Sequence, residues 1–283
     1  MNSLEGKVAV LTGAASGIGQ ALAIALDKEG VELVLVDVEK DKLESTGQLL
    51  QRDSLLCHLD ISDADAMNAL GEKVYQSHNN VHLLFNNAGV MGPMAPMWEL
   101  EESDWDWVFN VNVKGLANGI RAFVPRMLAQ DDASRVINTA SEASFAARAY
   151  VGVYHASKHA VLAMTETLAQ ELNFLDAKIR VSAVCPGGVK TAVMEADRNR
   201  PGDLARSGGA NETGNKLLEV YRMSLEHGLS AEVVAASILE GVKADQFYIF
   251  PHPEIAELPG KRAEAVKAGH YPEFDPILAG LIK

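Results

Sequence analysis

Short runs of consecutive apolar residues alternate with stretches of helical spacing over the first two thirds of the chain. Val8 to Thr12 is closed by Gly13, and Gln20 to Lys28 then carries apolar residues three and four apart, stopping at Gly30. Val31 to Val36 is a second apolar run, ended by Asp37 and followed by helical spacing to about Arg52, and Ser54 to Leu59 is a third, ended by Asp60. Further strands are expected over Val81 to Phe85, Arg135 to Thr139 and Ile179 to Val184, with helices over Ser103 to Gln130 and Tyr150 to Leu175. Uninterrupted apolar strands, rather than alternating ones, imply a sheet buried on both faces and therefore parallel strands covered by helices. In such a sheet, ligands bind beyond the carboxyl ends of the strands. The segments N-N-A-G, T-A-S-E and C-P-G-G all fall there.

After Thr191 the rhythm breaks. Residues 195–216 hold charges, Gly, Pro and Asn without periodicity and read as a mobile loop with room for a short helix. Helical spacing resumes over Leu217 to His227 and Ala231 to Val242, Phe247 to Phe250 is a last strand, and the proline-punctuated tail from Pro251 suits a surface wrap or an oligomer contact. Composition narrows the function classes. With 48% hydrophobic and 22% charged residues over 283 positions, disorder, collagen and coiled coil are excluded. Lys+Arg 25 against Asp+Glu 38 gives a net charge of −13 with no basic stripe, which speaks against a nucleic-acid partner. Two cysteines, Cys57 and Cys185, suit a reducing compartment. No run is long and apolar enough for a membrane span or a secretory signal, so no membrane partner and a cytoplasmic location are expected.

Thr12 to Gly19 reads T-G-A-A-S-G-I-G between a strand and a helix. Glycines there let the backbone turn tightly and approach a pyrophosphate, while the N–H groups and dipole of the helix start stabilise its charge. Asp37 follows Gly13 by 24 residues at the end of the second strand, where a carboxylate accepts hydrogen bonds from an adenosine ribose and repels a 2′-phosphate. The expected cofactor is NAD rather than NADP. An N-cap role for Asp37 is compatible with this one.

Tyr154 and Lys158 lie four apart on one helix face, with Ser141 13 residues upstream of Tyr154 at a strand end and Asn112 in V-N-V-K-G. With the glycine turn, Asp60, N-N-A-G (86–89) and P-G-G-V-K-T (186–191), these motifs stand in the order of the short-chain dehydrogenase/reductase family, single-domain type, which the chain resembles over about residues 4–250. The resemblance implies a Rossmann-like, doubly wound α/β fold with a seven-stranded, mainly parallel sheet and helices on both faces. It implies one domain over 1–283, with a substrate lid at about 192–227 and a C-terminal extension at about 251–283. It assigns catalysis to Asn112, Ser141, Tyr154 and Lys158. Tyr154 would be the acid/base, Lys158 would lower its pKa and hold the nicotinamide ribose, Ser141 would polarise the substrate oxygen, and Asn112 would hold a water in a proton relay. Cofactor binding would fall to Gly13, Ser16, Gly17, Ile18, Gly19 and Asp37, to Asp60 and Ile61 at the adenine, and to Asn87, Ala88 and Gly89. Tyr154, Lys158, Pro186, Gly187, Val189 and Thr191 would complete it at the nicotinamide end. The implied reaction is hydride transfer between a secondary alcohol or ketone and the nicotinamide. Family members are commonly dimers or tetramers built through the helices over Ser103 to Gln130 and Tyr150 to Leu175.

Other features compete. His155 and His159 have zinc-ligand spacing but no third ligand nearby, which favours surface or interface histidines and no metal. Trp98, Trp105 and Trp107, with Met91, Met94 and Met97, suit either a substrate mouth or core and rim. Glu142 reads as part of a solvated turn. A non-catalytic NAD(H) sensor or scaffold would use the glycine turn and Asp37 equally but would not require the Ser141, Tyr154, Lys158 and Asn112 set; a methyltransferase would not call for Tyr-x-x-x-Lys. The segments F-V-P-R-M (123–127), A-D-R-N-R-P (196–201), H-G-L-S (227–230) and F-Y-I-F-P-H-P-E (247–254) are similar to the lignin aryl-ether Cα-dehydrogenase branch, implying a benzylic alcohol, with steroid or alicyclic alcohols as the alternative.

Overall fold

The computed structural model describes residues 3–272. Seven strands, β1 (Val8–Thr12), β2 (Glu32–Asp37), β3 (Leu55–His58), β4 (Leu83–Asn86), β5 (Ser134–Thr139), β6 (Ile179–Val184) and β7 (Tyr248–Ile249), form one sheet in the order β3-β2-β1-β4-β5-β6-β7. Each ladder is parallel. The helices are α1 (Gly17–Lys28), α2 (Lys40–Gln48), α3 (Ala64–Ser77), α4 (Glu102–Phe109), α5 (Gly115–Ala129), α6 (Gly152–Phe174), α7 (Glu212–Glu226), α8 (Ala231–Lys243) and α9 (Leu258–Ala268). This is the doubly wound, Rossmann-like arrangement, parallel throughout among the described residues.

Alternation along the buried strands divides the core. Leu11, Leu35, Phe85 and Val184 pack on one face against Leu22 and Leu26 of α1 and Val234 and Ile238 of α8. Val10, Val34, Leu84 and Val136 pack on the other against Met67 and Val74 of α3, Phe123 and Met127 of α5, and Leu168 and Leu172 of α6. Burial of both faces explains why the strands read as continuous apolar runs. Strand order reverses between β1 and β4, so the carboxyl ends on either side of that switch open a crevice.

Several boundaries differ from the pattern reading. Helix α3 was not anticipated, although Met67, Leu70 and Val74 are spaced for one buried stripe and the Asp63 carboxylate caps it, accepting from Asp65 N–H at 2.9 Å and Ala66 N–H at 3.0 Å. The single helix expected over Ser103 to Gln130 is α4 and α5 joined by one π-helical turn, Asn110–Lys114. Helix α6 begins at Gly152 rather than Tyr150, because Tyr150 takes a left-handed φ of 68° that no α-helix continues. Helix α2 stops at Gln48, short of Arg52, and β7 keeps two residues of the expected four. Helix α7 starts at Glu212, five residues before Leu217, where Asn211 caps it by accepting from Gly214 N–H at 2.8 Å. Between Thr191 and α7 the chain makes short 3-10 turns, Ala192–Asn199 and Gly202–Leu204. The tail forms a 3-10 turn, Pro253–Glu257, and α9; the remainder of the expected extension lies outside the described residues. Among the described residues, no helix is long and apolar enough to cross a membrane.

Candidate active site

A cleft of about 290 Å³ runs along the carboxyl ends of the strands. At one end lies the glycine turn. Gly13 adopts φ +70°, and a Cβ there would sit 2.8 Å from Ala88 Cα; Gly17 adopts φ +56°, and its Cβ would sit 2.9 Å from Thr191 Cγ2. Both positions therefore exclude a side chain by conformation and by space. Ser16, the N-cap of α1, makes no side-chain cap, leaving the first-turn N–H groups of Gly17, Ile18 and Gly19 without one. Asp37 lies at the tip of β2, its Oδ2 accepting from Ala15 N–H and its Oδ1 from Glu39 N–H, each at 2.9 Å. Burial raises its pKa, and those two amides partly offset the rise.

The other predicted cofactor residues line the same cleft. Asn87 ties three strand ends together: its Nδ2 donates to Thr12 O at 3.1 Å, its N–H to Thr12 Oγ1 at 3.0 Å, and its Oδ1 accepts from Thr139 Oγ1 at 3.3 Å. Gly89 is closed in; a Cβ would lie 3.2 Å from Asn112 Oδ1 and 3.4 Å from Lys158 Nζ. Asp60 also shapes its own turn, accepting from Ser62 N–H at 2.8 Å, while Asn118 Nδ2 donates to Ile61 O at 2.9 Å. Across the cleft, Pro186 O accepts from Glu142 N–H at 2.9 Å. Gly187 N–H donates to His252 Nδ1 at 3.1 Å and His252 Nε2 meets Gly188 O at 3.0 Å. Val189 bridges to Leu229, and Thr191 rests on Gly17.

The catalytic candidates meet at the middle. Ser141 follows β5, with its Oγ accepting from Ala143 N–H at 3.1 Å and sharing a hydrogen bond with the half-buried Tyr154. Lys158, one helical turn on, is buried with Nζ donating to Thr139 O at 2.7 Å and lying 5.8 Å from the Tyr154 ring centroid. Burial lowers its pKa to about 8. Burial also raises the Tyr154 pKa, the Ser141 hydrogen bond opposes this, and the charge of Glu142 adds to it. The lowering expected from Lys158 is thus not produced by the free chain, where the low-dielectric surroundings dominate. Asn112, inside the π turn, uses its amide on Val90 N–H, Val90 O and Ser157 Oγ. Beside it, a cavity of about 10 Å³, the size for one water, is lined by Asn112, Lys158, Thr139, Thr12 and Asn86.

Beyond Tyr154 the walls are apolar: Met91, Trp107, Val151, Val193, Met194 and Leu225, with Tyr221 opposite. Met91 and Trp107 therefore line the cleft, whereas Met94 is core, Trp105 packs on Phe109, and Met97 and Trp98 are exposed. Glu142 is not a solvated turn residue. It faces the cleft in a two-pronged pair with Arg148, at 2.8 and 3.3 Å. His155 Nδ1 meets Ala143 O and Ala146 O, burial lowers its pKa, and His159 Nδ1 meets His155 O at 2.8 Å. Among the described residues, no three His, Cys, Asp or Glu side chains gather as a metal site. The cleft roof comes from the turns after Thr191, pinned by the buried Asp104: Arg200 Nη1 lies 2.8 Å and Arg206 Nε 3.2 Å from its carboxylate.

Residues 7–202 match the short chain dehydrogenase family. The chain belongs to that family of oxidoreductases. Among solved structures, a short-chain dehydrogenase/reductase from Burkholderia phymatum in complex with NAD superposes with TM-score 0.94 at 37% identity, covering 98% of this chain and 99% of that one. The C alpha-dehydrogenase of Sphingobium sp. is 30% identical over 98% of this chain and 90% of its own length. The 1-deoxy-11-beta-hydroxypentalenate dehydrogenase of Streptomyces exfoliatus is 32% identical over 89% and 85%. In this short-chain dehydrogenase, pattern reading missed His252, Arg148, Arg198 and Tyr221 in or against the cleft. Arg148 follows Glu142 by only six residues, whereas Arg198 and His252 reach the cleft from distant segments; in each case the pairing is set by the tertiary fold and not by local spacing.

Proposed function

We propose that the chain is an NAD-dependent oxidoreductase acting between a secondary alcohol and its ketone, with Tyr154 as acid/base. The observation that carries this reading is the meeting of Ser141, Tyr154 and Lys158 in one cleft, with the buried Lys158 Nζ 5.8 Å from the Tyr154 ring centroid. The residues present fit a dinucleotide: two turn glycines that no side chain could replace, open first-turn amides for a pyrophosphate, and the Asp37 carboxylate for an adenosine ribose. When bound, the dinucleotide supplies the hydride acceptor or donor and a positive charge beside Tyr154.

The chain's own groups do the rest. Ser141 Oγ orients the substrate oxygen, and Tyr154 Oη takes its proton in oxidation or returns it in reduction. Lys158 holds the nicotinamide ribose, and the water-sized cavity gives the proton a route from Lys158 toward Asn112. Loss of water from the closed site strengthens each of these interactions.

The apolar walls beyond Tyr154 favour an alcohol bearing a bulky apolar or aromatic group, in keeping with the relatives above. The acid/base set and the cofactor set interleave along one sheet, which supports a single catalytic unit with residues 192–227 as its lid. Assembly as a dimer or tetramer through α4, α5 and α6 would follow the family pattern, and light scattering measures it. Tyr154→Phe tests the mechanism: against a panel of benzylic, steroid and alicyclic alcohols, turnover should fall by about 10³ with NADH affinity retained. Undiminished turnover overturns the proposal.

A further inference from the structure

At the ribose end of the cleft a second carboxylate sits two residues beyond Asp37. Glu39 is engaged by the lid: Arg198 Nε donates to Glu39 Oε1 at 3.1 Å and Arg198 Nη2 to Glu39 Oε2 at 2.7 Å. The remaining Arg198 nitrogen is spent on the lid itself, with Nη1 donating to Ala192 O at 3.0 Å and Glu195 O at 2.9 Å. Lys42 Nζ, from α2, lies 2.7 Å from Glu39 Oε1, and Asn199 bonds to the same carboxylate. Among the described residues lining the cleft, the basic ones are Arg148, Lys158 and Arg198. The first two stand at the Tyr154 end, which leaves Arg198 as the cation of the adenosine end.

A guanidinium in this corner is the group that ordinarily accommodates a 2′-phosphate, because its planar fork matches phosphate oxygens in two parallel bonds. Here that fork is already filled by a carboxylate of the same bidentate geometry. We propose that Glu39 is a second determinant of dinucleotide choice: by occupying Arg198 it engages the cleft-lining guanidinium that would otherwise bind a 2′-phosphate, and so reinforces the repulsion exerted by Asp37. The inference rests on the dinucleotide reading above and deepens it. It assigns a specificity role to one residue of the β2–α2 connection and one of the lid, neither of which lies in the glycine turn. Arg198 thereby becomes a latent phosphate ligand that Glu39 keeps engaged.

Equilibrium titration of NADH and NADPH fluorescence tests this without needing the alcohol. Glu39→Gln keeps the shape but frees the guanidinium, and should raise the NADPH-to-NADH affinity ratio about tenfold, the scale of one charge-assisted hydrogen bond. Combined with Asp37→Ser the ratio should rise about 100-fold. Adding Arg198→Leu should return either variant's ratio to within about twofold of that of its Glu39 parent. Adding Lys42→Met to Glu39→Gln should leave the gain in place, which separates the lid cation from the helix cation. Adenosine 2′,5′-bisphosphate against AMP by calorimetry should show the same ordering. An unchanged ratio in Glu39→Gln, an equal loss of both dinucleotides, or a gain that persists without Arg198 each overturns the inference while leaving the dinucleotide reading intact. Failure of the unaltered chain to bind NADH overturns that reading and the inference with it.

Discussion

Asn112 grips the peptide of Val90 at both ends, its Oδ1 accepting from Val90 N–H and its Nδ2 donating to Val90 O, each at 2.8 Å. The second Nδ2 hydrogen goes to Ser157 Oγ at 2.9 Å, so a side chain on the π turn fixes both the segment after Asn87-Ala88-Gly89 and the helix that bears Tyr154. Both Nδ2 hydrogens and one acceptor position of Oδ1 are committed to protein partners. In the proposed relay, a water in the adjacent cavity would meet Lys158 and Asn112 in a frame that the Asn112 side chain holds together.

Asn112→Ala leaves buried Val90 groups without partners, at a cost of about 1–3 kcal/mol each when truly unsatisfied. Urea denaturation should show a loss of about 2–4 kcal/mol, and turnover should fall further than cofactor affinity. A variant as stable as the parent would mean that Val90 finds other partners.

On the proposed mechanism, Lys158 is a stability cost retained for chemistry. Its folded-state pKa of about 8 lies below the ordinary 10.5, so the unfolded chain binds that proton more tightly between those values. Stability therefore rises with pH across that window, and below about pH 8 the full penalty, on the order of 3 kcal/mol before the Thr139 hydrogen bond is credited, is present. Lys158→Met should make the free chain more stable at pH 7, should narrow its advantage as pH approaches 10, and should abolish turnover. Parallel urea midpoints at pH 7 and pH 9.5 measure the difference; a constant offset contradicts the linkage.

Glu142 sets the electrostatics of Tyr154 under the control of Arg148. Its negative charge disfavours the phenolate, and the two-pronged pair with Arg148 mutes that charge. Glu142→Gln should move the acid limb of the oxidation pH profile to lower pH, and Arg148→Met should move it to higher pH. Lys158 and His155, which also face Tyr154, are common to both variants. Shifts of the same sign in the two would refute the assignment.

The turns that roof the cleft hang on Asp104. Its carboxylate is buried and meets Arg200 and Arg206, and Arg200 also lies 5.2 Å above the Trp107 ring. Asp104→Ala removes the buried partner of two largely buried guanidinium groups and leaves them only the weaker ion pairs to Asp197 at 3.9 Å and Glu101 at 3.8 Å, a loss expected to cost about 3 kcal/mol. Thermal unfolding and protease cleavage near residues 200–210 should both report the loss; unchanged cleavage would place the anchor elsewhere.

The glycine turn and the Tyr154–Lys158 pair of the candidate site were legible because their geometry is local. Gly13 and Gly17 announce a turn whose left-handed conformation no side-chain-bearing residue adopts without strain, Gly19 leaves no room for a Cβ against Gly13 O, and Tyr154 and Lys158 are neighbours by helical spacing alone. The strands were legible because burial on both faces leaves them few polar residues. Helix α3 shows the limit of that reading, since its stripe of Met67, Leu70 and Val74 was in plain sight but short and interrupted by Gly71. Glu142 was misplaced because its partner Arg148, only six residues on, follows a 3-10 turn that spacing does not reveal. Glu39 with Arg198 spans 159 positions, and no periodicity links them.

His252 clasps the turn after β6 from both sides, through Gly187 N–H and Gly188 O. The ring belongs to the segment just past β7, nearly the last of the described chain to be synthesised. The cleft wall at Gly187 and Gly188 is therefore finished by a segment 65 and 64 residues further along the chain. A chain cut after Thr191 carries every catalytic and cofactor candidate and still lacks the clasp, so turnover should be lost to truncations before residue 252.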